Sequence, residues 1–419
     1  MLRFDGQVAL VTGAAGGLGA TWAKLLHERG ATCILVDVNP LVLQVAPSSP
    51  ATGKPRWATI VANCADDKEG RRVVDDIIAS YGRVDILIHA ATQVHDAAFR
   101  KMTREQWDAV VEHDLTSAFT MTRAAWAAMR QQNYGRILLC TSASGLYGNF
   151  GQVNYATTKS GVWGMTKALS IEGRKYGISV NALAAVAGTS LTQSVMPTEI
   201  YSRLKPEYTA PMAAFLVHAS SSETGGVFET GGGWIGKVRL ERSHGLGFPL
   251  NATPECVAQN WSQVVSFAKA THPESTQDSF APMLRNVNAP PDTVHTAFTK
   301  RIRAIFDRVH NVLQSPEGHA LVEPVLGSSL QWSIGDAVFV IAVSAASKTV
   351  HVGPPATPAD LEIVMAEADF LDFASGTLRL QRAITTKKMV LHGNMKLAMK
   401  LQPYVKVLKQ AQAGVQSRL

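Results

Sequence analysis

Three residues near the middle of the chain have the types and spacing needed to move the proton of an alcohol. Tyr155 and Lys159 are four residues apart, so they lie on one face of a predicted helix, and Ser142 precedes Tyr155 by 13 residues. A free tyrosine, with a pKa of about 10, is a poor base at neutral pH. A nearby ammonium favours the phenolate. Hydride transfer at a hydroxyl-bearing carbon needs such a proton acceptor, so the three residues predict alcohol–ketone interconversion, with Ser142 holding the substrate oxygen.

A glycine-rich segment near the N-terminus predicts a dinucleotide site. Thr12–Gly19 follows the first predicted strand and opens a helix, which is the context that such a glycine pattern requires. Gly13 permits the tight turn, Gly17 lets the backbone approach a pyrophosphate, and Gly19 lets helix and strand pack closely. Asp37, at the end of the second strand, can accept hydrogen bonds from ribose hydroxyls and repels a 2′-phosphate, which favours NAD over NADP. A purely structural turn, with Asp37 as a cap, is the alternative.

Residues 7–185 alternate between short aliphatic runs and amphipathic stretches of helical length. This alternation predicts βαβ units, a doubly wound parallel sheet of the Rossmann type, and a ligand site at the carboxyl ends of the strands. The predicted strands are Val8–Val11, Cys33–Val36, Val84–His89, Arg136–Cys140 and Ser179–Leu183. Residues 191–250 are rich in glycine, serine and threonine and are expected to form substrate loops.

A second domain is predicted after a linker at 286–293, where two prolines stand among small polar residues. The first domain is then 1–285, the second 294–412, and the tail 413–419. Strands in series followed by helices predict a small α+β fold for the second domain. Its predicted elements are a helix at Val294–Leu313, strands at Leu330–Ile334, Val338–Val343 and Thr349–Val352, a helix at Pro358–Phe373, a strand at Lys388–His392 and a helix from Asn394.

The composition indicates which classes of protein the chain can belong to. With 46% hydrophobic and 17% charged residues, the chain is expected to be soluble and globular, with neither a membrane span nor a signal peptide. The four cysteines form no C-x-x-C pair, so neither a metal site nor a disulfide framework is predicted, and a reducing compartment is expected. The net charge of +7 is spread too thinly to predict nucleic-acid binding.

The residues that predict the chemistry carry the signature of the short-chain dehydrogenase/reductase family. Further segments resemble the dehydrogenase module of peroxisomal multifunctional enzymes of type 2, namely Ser142–Tyr155, Ile171–Lys175, Val195–Pro197, Leu204–Tyr208 and Gly233–Lys237. The resemblance implies NAD-dependent oxidation of (3R)-hydroxyacyl-CoA to 3-ketoacyl-CoA, a fatty acyl-CoA substrate and a homodimer. The predicted cofactor site comprises Gly13, Gly17, Leu18, Gly19, Asp37, Asn63, His89, Tyr155 and Lys159.

The chain departs from the family pattern in three places. The usual Asn-Asn-Ala-Gly after the fourth strand reads His89-Ala-Ala-Thr92, and an asparagine common in the next helix is Asp114. The proline usual after the Ser179–Leu183 strand is Ala185. These departures leave open a lipid-transfer protein with an inactive dehydrogenase scaffold. A further alternative keeps the chemistry and changes the substrate to a steroid 17β-alcohol.

The second domain resembles the sterol carrier protein domain at Val352–Pro355, Asp369–Asp372 and Gly393–Gln402. This implies helices on a five-stranded sheet around a tunnel for fatty acid, acyl-CoA or sterol, with Met395 and Met399 as a pliable apolar lining. Multifunctional enzymes of this kind usually carry a hydratase between the two domains, so hydration activity is not expected here.

The final tripeptide, Ser417-Arg418-Leu419, resembles the S-K-L peroxisomal signal with arginine in place of lysine. An import receptor is therefore an expected partner. The expected location is the peroxisome or a related glycosome.

Overall fold

The computed structural model describes residues 1–45, 56–193, 196–250, 252–288, 297–313, 315–316, 328–335, 337–343, 348–352 and 358–416. The chain divides into two units, Met1–Arg239 and Leu240–Leu419. This division precedes the predicted linker at 286–293, of which 289–293 lie outside the described residues. The domain boundaries therefore stay predictions. No helix in the described part of the chain is long and apolar enough to cross a bilayer.

The described residues of the first unit form an eight-stranded sheet in the order β3-β2-β1-β4-β5-β6-β7-β8. Its strands are β1 (Val8–Thr12), β2 (Thr32–Asp37), β3 (Trp57–Val61), β4 (Ile86–His89), β5 (Gly135–Thr141), β6 (Ile178–Ala185), β7 (Val227–Gly231) and β8 (Trp234–Val238). Strands β1 to β7 pair in parallel, and β8 pairs with β7 in the antiparallel sense. The strand order reverses between β1 and β4, which opens a crevice at the carboxyl ends of these strands.

Helices cover both faces of this sheet. They are α1 (Gly17–Glu28), α2 (Asp67–Tyr81), α3 (Arg104–Val110), α4 (Ser117–Gln132), α5 (Ala143–Tyr147), α6 (Val153–Gly173), α7 (Thr198–Arg203) and α8 (Ala210–Leu216). Along β1, Ala9 and Val11 join one buried cluster with residues of α1 and α8. Val8 and Leu10 join a second cluster with residues of α2, α4 and α6. Because β1 buries both faces, its sequence is continuously apolar, and the predicted doubly wound sheet is confirmed.

The segment 191–250, expected to be loops, instead contains α7, α8 and the β7–β8 hairpin. Its glycines form the hairpin turn, where Gly232 and Gly233 have φ angles of 56° and 84°. Val227 and Phe228 are buried, so they join the core of the sheet. The expectation was wrong because composition alone does not separate a glycine-rich turn from a glycine-rich loop.

The second unit contains a five-stranded sheet in the order β11-β10-β9-β12-β13 among its described residues. Its elements are α9 (Pro254–Gln259), α10 (Trp261–Val264), α11 (Thr276–Val287), α12 (Ala297–Leu313), β9 (Ser328–Ile334), β10 (Ala337–Val343), β11 (Lys348–Val352), β12 (Leu361–Met365), α13 (Glu367–Ser375), α14 (Leu380–Thr385), β13 (Met389–Gly393), α15 (Met395–Ala398) and α16 (Gln402–Gln416). Phe306 of α12 stacks on Phe339 and Phe370, with ring centroids 4.1 and 5.5 Å apart. The aromatic core thus lies between helices and sheet, and the predicted α+β fold is confirmed.

The prediction of a helix at Pro358–Phe373 is wrong for the first half of this segment. Leu361–Met365 forms β12, which pairs in parallel with β9 and in antiparallel with β13. Leu361, Ile363 and Met365 are buried and alternate with partly exposed residues. This two-residue period fits a strand, and pairing on both sides outweighs the local preference for a helix. The helix α13 begins only at Glu367.

Candidate active site

A cleft of about 400 Å³ lies at the carboxyl ends of β1, β2 and β4 in the first unit. Its walls come from the β1–α1 loop, the end of β2, the loops after β3 and β4, and residues 189–191. Among the predicted cofactor residues, it is lined by Gly13, Gly17, Leu18, Gly19, Asp37 and Asn63. The cleft lies at the crevice where a doubly wound sheet binds its ligand.

Two glycines of the β1–α1 loop are required by close backbone contacts. Gly13 has a φ angle of 67°, and a Cβ there would lie 2.4 Å from the carbonyl carbon of Ala90. A Cβ at Gly19 would lie 2.5 Å from the carbonyl oxygen of Gly13. A side chain at either position would clash with neighbouring backbone, so the loop is bare backbone at both positions.

The N-terminus of α1 opens into this loop without a side-chain cap. Gly16 precedes the helix, and the described residues of its first turn include no acidic side chain. The first amide groups of the helix and the positive end of its dipole remain available to an anion. This arrangement fits the pyrophosphate of a dinucleotide.

Asp37, at the end of β2, is oriented by two backbone amides. Ala15 N donates to Asp37 Oδ2, and Asn39 N donates to Asp37 Oδ1, each at 2.9 Å. The carboxylate therefore connects the glycine loop to the segment after β2 and lines the cleft. A carboxylate here accepts hydrogen bonds from ribose hydroxyls.

Asn63 lines the cleft beyond β3. Its side-chain oxygen accepts a hydrogen bond from Ala65 N at 3.0 Å, and its backbone amide donates to Glu69 Oε2 at 2.8 Å. These bonds hold the β3–α2 loop against the cleft.

His89, predicted to contact the cofactor, lies beneath the cleft rather than in its lining. It is buried between Thr12, whose hydroxyl is 2.8 Å from Nδ1, and Ser117, whose hydroxyl is 3.0 Å from Nε2. Ser117 donates its only hydroxyl proton to the His113 carbonyl, so Nε2 carries the ring proton and Nδ1 accepts from Thr12. Burial, together with the Lys159 charge, lowers the pKa of His89 to about 3. The ring is thus a neutral bridge between β1 and α4.

Ser142, Tyr155 and Lys159 come from neighbouring elements. Ser142 follows β5 and caps α5, where its Oγ accepts a hydrogen bond from Ser144 N at 3.2 Å. That bond uses an oxygen lone pair and leaves the hydroxyl proton for a substrate oxygen. Tyr155 and Lys159 share a face of α6, and Lys159 Nζ lies 5.4 Å from the centroid of the Tyr155 ring. Tyr155 is partly exposed, whereas Lys159 is buried.

A buried carboxylate holds the Lys159 ammonium. Lys159 Nζ and Asp114 Oδ2 are 2.9 Å apart. Asp114 lies in a π-helical segment, Val111–Thr116, between α3 and α4; such segments are frequent at functional sites. Burial lowers the pKa of Lys159, but the Asp114 carboxylate, with smaller contributions from Tyr155 and Cys140, raises it by more, so the net shift is upward and the ammonium stays charged. The sequence marks Asp114 as a departure from a family pattern but does not predict this pairing.

The α5 helix packs closely on α6 at Gly145. A Cβ at Gly145 of α5 would lie 2.6 Å from Lys159 Cβ. Ser160 Oγ also donates to the Gly145 carbonyl at 2.5 Å. Gly145 therefore allows the approach of the two helices, a role that its sequence context does not indicate.

Comparison with known proteins assigns the family. Residues 7–200 match the short chain dehydrogenase family, and residues 306–406 match the SCP-2 sterol transfer family. The chain is 34% identical to the peroxisomal multifunctional enzyme A of Dictyostelium discoideum, over 96% of this chain and 98% of that protein. The chain belongs to the short chain dehydrogenase family. It carries an SCP-2 sterol transfer domain as a second module.

Two further relatives of this short chain dehydrogenase are longer proteins. It is 42% identical to the mouse peroxisomal multifunctional enzyme type 2, over 66% of this chain and 39% of that protein. The solved structure of the full-length Drosophila melanogaster enzyme of the same name matches with a TM-score of 0.57 and 31% identity. That match covers 68% of this chain and 50% of the fruit-fly chain.

Short chain dehydrogenases use a nicotinamide dinucleotide, and the cleft fits one. When bound, the nicotinamide supplies the hydride acceptor or donor. A bare glycine loop, the uncapped N-terminus of α1 and the Asp37 carboxylate would hold the dinucleotide. The hydroxyl of Ser142, the phenol of Tyr155 and the buried ammonium of Lys159 are the groups suited to proton transfer.

In the SCP-2 module, two methionines expected to line a lipid tunnel are on the surface. Met395 is 57% exposed and Met399 is 87% exposed. The expectation was wrong because Leu397, Ala398 and Leu401 supply the buried side chains of this segment. The quoted Val352–Pro355 segment lies outside the described residues from 353 onward.

The substitution Gly145→Ala is expected to lower the kcat of the dehydrogenase about 100-fold, because the added methyl group pushes Ser142 away from Lys159. The measurement is the steady-state rate of nicotinamide reduction. Gly164→Ala, in α6, is the matched control, since a Cβ there meets no atom within 4 Å. Equal kcat values for the two variants would contradict the positioning role of Gly145.

Proposed function

We propose that this chain oxidises (3R)-hydroxyacyl-CoA to 3-ketoacyl-CoA with NAD in peroxisomal fatty acid β-oxidation. The observation that carries the proposal is the pairing of Tyr155 and Lys159 on α6, with Lys159 joined through Asp114 to Thr92 and Gln93 in the wall of the cleft. The chain also covers 98% of a relative named as a peroxisomal multifunctional enzyme. The names of the mouse and fruit-fly relatives support the same assignment.

The proposed mechanism divides proton and hydride transfer between the chain and its cofactor. Ser142 donates a hydrogen bond to the substrate hydroxyl oxygen and holds it near Tyr155. Tyr155 accepts the hydroxyl proton, and the electron pair of the broken O–H bond forms the second C–O bond of the ketone. A bound NAD would take up the hydrogen of the same carbon as hydride. Lys159 favours the phenolate through its charge and would bind the nicotinamide ribose.

The substitution Tyr155→Phe is expected to lower kcat/KM for (3R)-hydroxyacyl-CoA about 100- to 10,000-fold, since the proton acceptor is lost. NADH absorbance measures the rate, with (3R) and (3S) isomers assayed side by side. The (3S) isomer is expected to remain unreacted.

A matched control is Tyr176→Phe, which removes an exposed hydroxyl that accepts a hydrogen bond from Arg130 away from the cleft. It should keep wild-type turnover. Turnover that survives Tyr155→Phe would refute the mechanism. Failure of the wild type to oxidise either isomer would refute the enzyme proposal and favour an inactive scaffold joined to a lipid carrier.

The choice of NAD over NADP is proposed to rest on Asp37. Its carboxylate lines the cleft and would repel a 2′-phosphate. Asp37→Asn is therefore expected to lower the ratio of kcat/KM for NAD to that for NADP about tenfold or more. Asp75→Asn removes the same charge from the exposed face of α2 and should leave the ratio unchanged. An unchanged ratio in Asp37→Asn would contradict the proposal that this carboxylate excludes NADP.

The SCP-2 module is proposed to bind fatty acid, fatty acyl-CoA or sterol. Its match to the sterol transfer family supports this role. The full-length chain is expected to bind a fluorescent fatty acid that unlabelled acyl-CoA displaces. Unchanged probe fluorescence on adding the protein would count against a carrier.

Import into peroxisomes is proposed to depend on Ser417–Leu419, which lie outside the described residues. The tripeptide resembles a receptor-recognised signal, and the peroxisomal names of the relatives support the location. Deleting these three residues is expected to leave a tagged chain in the cytosol. Peroxisomal import of the deleted chain would refute the assignment.

A homodimer is proposed, with the groove between α4 and α6 as its interface. The groove has a volume of about 260 Å³ and is lined by Phe119, Thr122, Arg123, Trp126, Ala127, Arg130, Met165, Leu169 and Glu172. Apolar grooves of this kind mark interaction sites. Sedimentation equilibrium should give a dimer for the wild type and a monomer for Phe119→Asp. A monomeric wild type would exclude the dimer.

A further inference from the structure

The last part of the SCP-2 module concentrates positive charge. Residues 373–419 contain nine lysines and arginines and neither aspartate nor glutamate, so their formal charge is +9, whereas that of the whole chain is +7. The eight of these basic residues that the structure describes, from Arg379 to Lys409, all have exposed side chains. One of them is paired with a carboxylate, since Lys388 Nζ lies 2.6 Å from Asp369 Oδ1. Most of this positive charge therefore faces water and attracts anions.

The same segment contains the exposed apolar side chains of the module. Among the described side chains of residues 297–416, the large apolar ones that are exposed are Ile384, Val390, Met395 and Met399. The apolar face of the amphipathic helix α12 is, by contrast, buried in the core. Apolar exposure and positive charge thus coincide in one stretch of the module instead of being spread over it.

The short helix α15 places methionines and lysines side by side. Met399 directly follows α15 with helical φ and ψ angles of −66° and −20°. Met395 and Met399 are four residues apart and so lie on one face, and Lys396 and Lys400 each follow a methionine by one residue. Other side chains of this segment are buried and fix it to the core of the module. These two methionines and two lysines are called the Met–Lys surface below.

We propose that the Met–Lys surface docks on an anionic phospholipid bilayer. Lysines are attracted to the negative surface of such a bilayer over about one Debye length. Methionine side chains are flexible and apolar, so they fit the boundary between headgroups and acyl chains. A nucleic acid would pair with the lysines but leave the methionines in water, and a second copy of the chain would bring like charges together. The observations therefore favour a bilayer as the occupant.

The test is the binding of the full chain to sucrose-loaded vesicles, measured by sedimentation. The vesicles contain phosphatidylcholine alone or phosphatidylcholine with about one-third phosphatidylserine. The wild type is expected to bind the anionic vesicles about tenfold or more strongly than the neutral ones. Raising the salt concentration from about 0.1 M to 1 M shortens the Debye length from about 10 Å to 3 Å and should abolish this preference. Equal binding to both kinds of vesicle at low salt overturns the proposal.

The double substitution Lys396→Glu with Lys400→Glu is expected to lower the partition coefficient for anionic vesicles about tenfold or more, because two attractive charges become repulsive. The matched control is Lys24→Glu with Lys68→Glu, which changes the net charge equally at exposed positions of α1 and α2. It should bind as the wild type does. An equal loss in both double variants would mean that total charge drives binding, which also overturns the proposal.

The double substitution Met395→Ser with Met399→Ser separates a bilayer from other polyanions. It removes the apolar contact and keeps the charge, so the partition coefficient is expected to fall about fivefold or more. Unchanged binding of this variant would exclude insertion of the methionines and overturn the proposal. Displacement of the wild type from the vesicles by single-stranded RNA, at an equal concentration of phosphate, would assign the surface to nucleic acid instead.

The docking is separate from the proposed dehydrogenase and carrier functions. Vesicle binding needs neither NAD nor a hydroxyacyl-CoA, so an inactive dehydrogenase would contradict the proposed function and leave the docking intact. If the glutamate variant does not fold, Lys396→Gln with Lys400→Gln takes its place, since it removes both charges without adding repulsion. Its partition coefficient for anionic vesicles is expected to fall about threefold or more, and an unchanged value would overturn the proposal.

Discussion

A buried ammonium needs a partner, and the active site is organised around that requirement. Desolvation of an isolated charge is so costly that the group would lose its proton instead. Asp114 keeps Lys159 charged, and the π-helical segment between α3 and α4 contains that carboxylate. The α5 helix, which Ser142 caps, packs closely on α6 at Gly145, next to the same lysine. One ion pair therefore links the wall of the cleft to the helix that contains Tyr155 and Lys159.

The sequence predicts the parts of the site that local spacing determines. The glycine loop, the carboxylate after β2 and the i, i+4 spacing of Tyr155 and Lys159 each follow from a short segment in a known context. The pairing of Asp114 with Lys159 depends on a π-helical segment. The spacing of apolar residues in a sequence does not reveal such a segment. His89 shows the same limit, since its neutral bridging role depends on the hydroxyl partners that β1 and α4 bring to it.

The fold was predictable where periodicity is strong. Continuous apolar strands separated by amphipathic helices indicate a doubly wound sheet because β1 buries side chains on both faces. The sequence prediction failed at β12 and at the β7–β8 hairpin. Leu361–Met365 is too short for its alternation to outweigh a helical pattern that continues into α13, and its strand state comes from pairing with β9 and β13. This pairing depends on strands that are distant in the sequence, so the local sequence does not predict it.

The two amides that hold Asp37 have a consequence for protein engineering. Ala15 N and Asn39 N donate hydrogen bonds to the two carboxylate oxygens, so the residue proposed to bind the ribose also holds the glycine loop in place. A basic side chain at position 37, introduced to bind a 2′-phosphate, would remove both of these hydrogen bonds. A useful redesign would have to supply a substitute acceptor for the loop at the same time, which makes coenzyme preference in this scaffold resistant to change by single mutations.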